Sequence, residues 1–180
     1  MTHPPFRTTD PMIDYQYLGD AAQFLPQLLQ VFGQERSNEV LDAESVAVLA
    51  GYMQIYQQPA GGFLLREGEK SDFLLLLLEG EVDVLTSHED GTPIQISAIA
   101  PGRLIGEMSL VDGEPRFATC IARTDVIVAV LTRASLNEVL AQHPQLGMQL
   151  LLRLLALISL RLRQTSRRLV EILAKTHQSF

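Results

Sequence analysis

The stretch from Gln54 to Leu131 cannot settle as helix, and it dictates the fold. Short β-like runs, Gln54–Gln57, Phe63–Arg66, Phe73–Glu79, Glu81–Thr86, Ile94–Ala100, Ala118–Ala122 and Val126–Leu131, are separated by turn signals at Gly61-Gly62, Gly68, Gly80, Asp90-Gly91, Pro101-Gly102 and Asp112-Gly113. Many short strands of this kind close into a small antiparallel barrel or roll. Phe73 to Leu78 is apolar without a break, which in a run so short points to a strand buried on both faces.

Helical spacing flanks this region. Apolar residues from Leu18 to Phe32 predict a helix within Tyr15–Gln34, with Pro26 in its first turn or at a kink. A second helix is expected over Asp42–Tyr52 with Asp42 as N-cap, and Thr132 is placed to cap a helix over Arg133–Gln142. His143-Pro144 breaks the chain before a last helix from Gln145 to about Thr176. On it Leu151, Leu155, Ile158, Leu162, Thr165, Leu169 and Ile172 recur at alternating spacings of four and three, the seam of a parallel homodimer. The expected class is therefore α+β: a jelly-roll-like antiparallel β-roll (54–132), N-terminal helices (16–53) and C-terminal helices carrying the dimerisation helix (133–180). A Pro- and Thr-rich lead-in (1–15) precedes them.

Charge narrows the function. The 180 residues carry a net −7, which argues against binding nucleic acid through bulk charge. From Gln145 to Phe180, however, Arg153, Arg161, Arg163, Arg167, Arg168 and Lys175 face the single acid Glu171, a net +5 that leaves −12 on the remainder. A solvated face beside an acidic body accounts for this balance better than an anionic membrane or nucleic acid partner does. The one cysteine, Cys120, allows no internal disulfide, and the N-terminus lacks the apolar core of a signal peptide. No uninterrupted apolar run of spanning length occurs, because Arg153 and Arg161 interrupt Leu150–Leu162. A cytoplasmic protein without a membrane span is expected. The four histidines, His3, His88, His143 and His177, show no metal-ligand or triad spacing, so neither an enzyme nor a metal site is expected.

The chemistry concentrates in Gly102–Thr119, G-R-L-I-G-E-M-S-L-V-D-G-E-P-R-F-A-T. A glycine turn opens a short helix-compatible run at Glu107, and Pro115-Arg116 enters the next strand. Helix-start amides and a guanidinium are the groups that hold phosphate, and a carboxylate accepts from sugar hydroxyls.

The order of parts, a glycine-punctuated roll, G-E-M-S-L, P-R-x-A-T, then a short and a long helix, resembles the cyclic nucleotide-binding domain family over roughly Leu41–Arg168. The resemblance implies that Glu107 holds the ribose 2′-hydroxyl and Arg116 the cyclic phosphate, with backbone amides around Gly106, Met108 and Ser109 completing the cradle. The ligand implied is cyclic AMP (cAMP) or cyclic GMP (cGMP), with no other cofactor. Phe117 stands where the family has a small residue, and its ring is expected to narrow the pocket, stack on the base, or pack on the final helix. Thr165 and Ser166 resemble the polar pair that meets the purine in catabolite-activator-like members, yet lie one helical turn late; Arg161 then comes nearer the base. The chain ends at Phe180, leaving no room for the DNA-binding domain of the family's transcription factors. A stand-alone dimeric sensor that signals through its last helix to an unidentified effector is expected; the alternative is a degenerate fold serving as a dimeric scaffold. Arg116→Ala is expected to abolish binding and leave the roll folded.

Overall fold

The computed structural model describes residues 15–33, 41–88 and 90–177; apart from Tyr15, the expected lead-in lies outside them. Among the described residues, nine strands form two antiparallel sheets. The first has the order β1 (Gln16–Asp20), β2 (Gln54–Gln58), β9 (Val126–Thr132), β4 (Phe73–Glu79), β7 (Leu104–Ile105). The second has the order β3 (Phe63–Leu65), β8 (Thr119–Ala122), β5 (Val82–Ser87), β6 (Pro93–Ile99). Helices α1 (Leu25–Gly33), α2 (Ala43–Ala50), α3 (Glu107–Asp112), α4 (Arg133–Gln142) and α5 (Pro144–His177) are the α-helices of the described residues.

The unbroken apolar run of β4 has a direct physical cause. Leu74, Leu76 and Leu78 point into a core shared with the helices, while Phe73, Leu75 and Leu77 point into the interior of the roll. Strand β9 divides in the same way, with Ala129 and Leu131 on the helix side and Val126, Val128 and Val130 inside the roll. A strand between two cores has no solvent face and hence no polar alternation.

The helix expected to begin near Tyr15 is corrected at its start. Residues 16–20 form β1 and pair with β2, a 3-10 turn follows at Ala21–Phe24, and α1 begins only at Leu25. The reason is the Tyr-Gln-Tyr-Leu alternation and the need to cover the open edge of β2. A register shift between Tyr17 and Gly19, where Gly19 has φ 140°, bends the strand. Tyr17 packs its ring 5.4 Å from that of Tyr56, and the buried Tyr15 hydroxyl donates to Leu64 O at 2.6 Å. Pro26 is the second residue of α1, in the first turn, where its missing N–H costs nothing.

The remaining helices follow their caps. Ser45 N donates to Asp42 Oδ1 at 2.7 Å and Ser135 N to Thr132 Oγ1 at 3.0 Å, so α2 and α4 start where short polar side chains can accept the first orphan amides. In α5 the buried Leu146, Leu150 and Leu154 dock the first half on the body, whereas residues 162–175 are exposed throughout. Of the seam positions, Leu155, Leu162, Leu169 and Ile172 are all more than half exposed. By length and composition Pro144–Lys175 would suffice to cross a membrane, although no uninterrupted apolar run does. Its buried leucine face is that of a helix packed on a protein core.

Helices α4 and α5 cross tightly at Gly147, where a Cβ would lie 2.7 Å from Leu140 Cδ2 and 2.9 Å from Leu140 Cα. Gly147→Ala is expected to push the helices apart and cost about 1–3 kcal/mol. Thermal denaturation checks this; a midpoint equal to that of the wild type refutes it.

Candidate functional site

The site is built on the short segment between two left-handed glycines. Strand β7 pairs with β4 through Leu75↔Ile105 and Leu76↔Leu104, Gly106 turns the chain at φ 78°, α3 follows, and Gly113 ends it at φ 76°. Gly106 is required on two counts: L side chains resist this φ, and a Cβ there would lie 2.3 Å from Arg116 Nη1.

Arg116 is turned inward. Its Nε donates to Ser71 Oγ, its Nη1 to Gly106 O and its Nη2 to Phe73 O, each at 2.6 Å, and the residue is only 3% exposed. Its backbone is clamped as well, Arg116 N donating to Glu69 O and Gly68 N to Arg116 O, both at 2.8 Å. Burial lowers the guanidinium pKa, opposed by Cys120, Tyr15, Glu107 and Asp72. Of the five guanidinium N–H groups, two remain beyond these three bonds. The side chain ties the cassette to the loop after β3 and to β4, which argues against the expectation that Arg116→Ala leaves the roll intact.

Glu107 opens α3 and is 1% exposed. Its Oε1 accepts from Arg161 Nη1, and Arg161 Nη2 donates to Leu104 O at 2.7 Å. Its Oε2 is buried without a partner. A buried carboxylate costs several kcal/mol unless paired; Arg161 supplies the partner to Oε1 and leaves Oε2 to be satisfied.

The other residues named from the sequence divide by exposure. Ser109 is buried, and its carbonyl accepts from Gly113 N at 3.0 Å and Arg133 Nη2 at 2.9 Å. Met108 is exposed, as are Thr165 and Ser166 on α5, the first of them one turn beyond Arg161. Phe117 is 66% exposed, so its ring is not packed on the final helix, and that expectation is corrected. Cys120 lies behind the cassette, where burial pushes its thiol up to about 12; it stays protonated and unreactive near neutral pH. Among the described residues no cluster of three or more side chains is able to hold a metal. Sequence reasoning missed Ser71, which lies in a charged loop with no periodic cue, and the two backbone carbonyls that hold Arg116. Beside Ser71, between Leu65, Glu69 and Phe73, the cavity is about 10 Å³, room for a water.

Comparison with known proteins identifies the family. Residues 57–143 match the family model of the cyclic nucleotide-binding domain. The chain is 36% identical to the crystal structure of a cyclic nucleotide-binding domain from Methylobacillus flagellatus, with a TM-score of 0.84, covering 93% of this chain and 94% of that one. It is 29% identical over 133 residues to a CRP-like cAMP-activated global transcriptional regulator of Mycobacterium tuberculosis, covering 74% of this chain and 58% of the relative. It is also 30% identical over 99 residues to a cAMP-dependent protein kinase regulatory subunit of Dictyostelium discoideum, covering 55% of this chain and 30% of the relative. The chain thus spans little more than half the length of the first of these two relatives and under a third of the second.

Arg116→Ala strands the buried carbonyl of Phe73 and removes the partner of the half-buried Ser71 hydroxyl and Gly106 carbonyl. It is expected to destabilise the fold by more than about 3 kcal/mol, read by chemical denaturation. Wild-type stability in that variant refutes the structural role.

Proposed function

The chain belongs to the cyclic nucleotide-binding domain family, and from that premise we propose that it is a regulatory domain that takes cyclic AMP or cyclic GMP between Glu107 and Arg116 and signals through α5 to a separate protein. The observation that carries this reading is the buried, unpartnered Oε2 of Glu107. An acceptor left open in the interior calls for a donor, and a ribose hydroxyl supplies one. Arg116 keeps two N–H groups for the phosphate, and Gly106, Met108 and Ser109 bring backbone amides to the same segment. The exposed ring of Phe117, next to Arg116 in sequence, is available to stack on the purine. Thr165 and Ser166 lie further along α5 as polar contacts to the base.

The apolar stripe on the outer half of α5 supports a parallel homodimer, since a projecting helix of this length gains its stability from a packed face. The homologous proteins are regulators, and this reading assigns the chain no catalysis and an intracellular place. The competing reading, a dimeric scaffold without a ligand, draws on the inward turn of Arg116.

Isothermal titration of nucleotide-free protein separates the two. Binding of cyclic AMP or cyclic GMP at one site per chain is expected, with Glu107→Gln weakening it by at least about tenfold, the value of a hydrogen bond to a charged group. No heat with either nucleotide supports the scaffold. Sedimentation is expected to give twice the 20.0 kDa chain mass; a monomer at micromolar concentration contradicts the dimer.

A further inference from the structure

The apolar face of α5 is wider than a two-stranded seam. Beside the seam through Leu151, Ile158 and Thr165 runs a second one through Met148, Leu152, Ser159 and Ser166, one residue and so about 100° further round the helix. Leu155, Leu162 and Leu169 belong to both. A dimer seam uses two positions in seven, whereas three or more in seven mark a helix with neighbours on two sides. Round the helix, the body-docked leucines Leu146, Leu150 and Leu154 come first, then the dimer seam, then the second strip. Met148, Leu152 and Val170, which extends that strip, are all exposed.

Charge decides what fits there. Arg163 and Arg167, both exposed, border the second strip on its outer side, and Arg163 Nη2 donates to Ser159 Oγ at 3.2 Å, which lays the guanidinium along the edge. A second copy meeting the strip in parallel register would bring these arginines against their own counterparts and set serine on serine at 159 and 166, leaving the middle of the contact without apolar side chains. A flat anionic bilayer would also bring up the body, whose residues before Gln145 sum to −12. A single helix is narrow enough to meet α5 alone, can set large apolar side chains over the serines, and can pair acids with the arginines. Deepening the reading above, in which α5 signals to a separate protein, we propose that the second strip of each chain docks an amphipathic helix of that protein, with apolar residues at i, i+3, i+4 and i+7 and Asp or Glu on the flank that faces Arg163 and Arg167. The dimer presents the strip twice, so two such helices complete a four-helix bundle.

The probe is a fluorescent synthetic peptide helix with leucines at that spacing and glutamates on the flank, titrated with the full chain by anisotropy; its control carries lysine at every glutamate. The acidic peptide is expected to bind at one per chain, with an affinity that falls as salt is added, and the lysine control at least about tenfold more weakly. Leu152→Glu and Val170→Glu lie on the second strip and outside the dimer seam. Each is expected to weaken the acidic peptide at least about tenfold, while sedimentation still gives the dimer and the thermal midpoint and nucleotide affinity stay those of the wild type.

No binding of the acidic peptide to the folded chain, equal binding of the two peptides, or wild-type affinity in both glutamate variants overturns the inference. So does a tetramer that Val170→Glu returns to a dimer, which puts a second copy on the strip, and so does sedimentation with phosphatidylserine vesicles that the same variant abolishes, which puts a membrane there. A chain that binds nucleotide and no peptide removes the docking strip alone. A chain that binds the peptide and neither nucleotide removes the sensor reading and leaves the strip.

Discussion

The buried guanidinium of Arg116 holds the candidate site in place. Its three donors reach Ser71, the carbonyl of Gly106 and the carbonyl of Phe73, and so tie the Ser71–Phe73 entry into β4 to the turn into α3, more than thirty residues further along the chain. A neutral side chain of similar size would leave these acceptors unpaired in the interior. The same contact explains the glycine at 106, whose missing Cβ is the space the guanidinium occupies. A side chain that a phosphate would use is thus also a structural tie, and occupancy of the site is linked to the packing of the roll.

The carboxylate beside it adds a second link. Glu107 is almost wholly buried and balanced from α5 by Arg161, so the helix that leaves the body is held at the site by charge as well as by Leu146, Leu150 and Leu154. Beyond Arg161, residues 162–175 of α5 are exposed. The helix is therefore anchored on the candidate site through Arg161, while its outer half carries the exposed apolar stripe on which the proposed dimer rests.

Much of this was legible in the sequence, for particular reasons. Strand β4 showed itself because a strand between two cores has no polar face, and α4 because Thr132 and His143-Pro144 bracket it. Glu107 and Arg116 were legible because the cassette as a whole, G-E-M-S-L followed by P-R-x-A-T, resembles that of the family; each piece alone is common. Strand β1 was not, since Tyr15 to Leu18 runs on into a helical pattern and only the edge of β2 makes it a strand. The two-residue β7 is too short for any periodicity. The inward turn of Arg116 depends on carbonyls brought in by tertiary packing, and the pairing of Arg161 with Glu107 spans more than fifty residues. Arg161 was marked as lying near the ligand's base, but its carboxylate partner carries no local signal.

The central claim is that the open oxygen of Glu107 receives a ribose hydroxyl. Comparing cyclic AMP with its 2′-deoxy analogue by titration of the unmodified chain addresses that contact alone, without altering the protein. The account predicts that the deoxy analogue binds about 10- to 100-fold more weakly, the loss of one hydrogen bond to a buried charged group. Equal affinity for the two would contradict it.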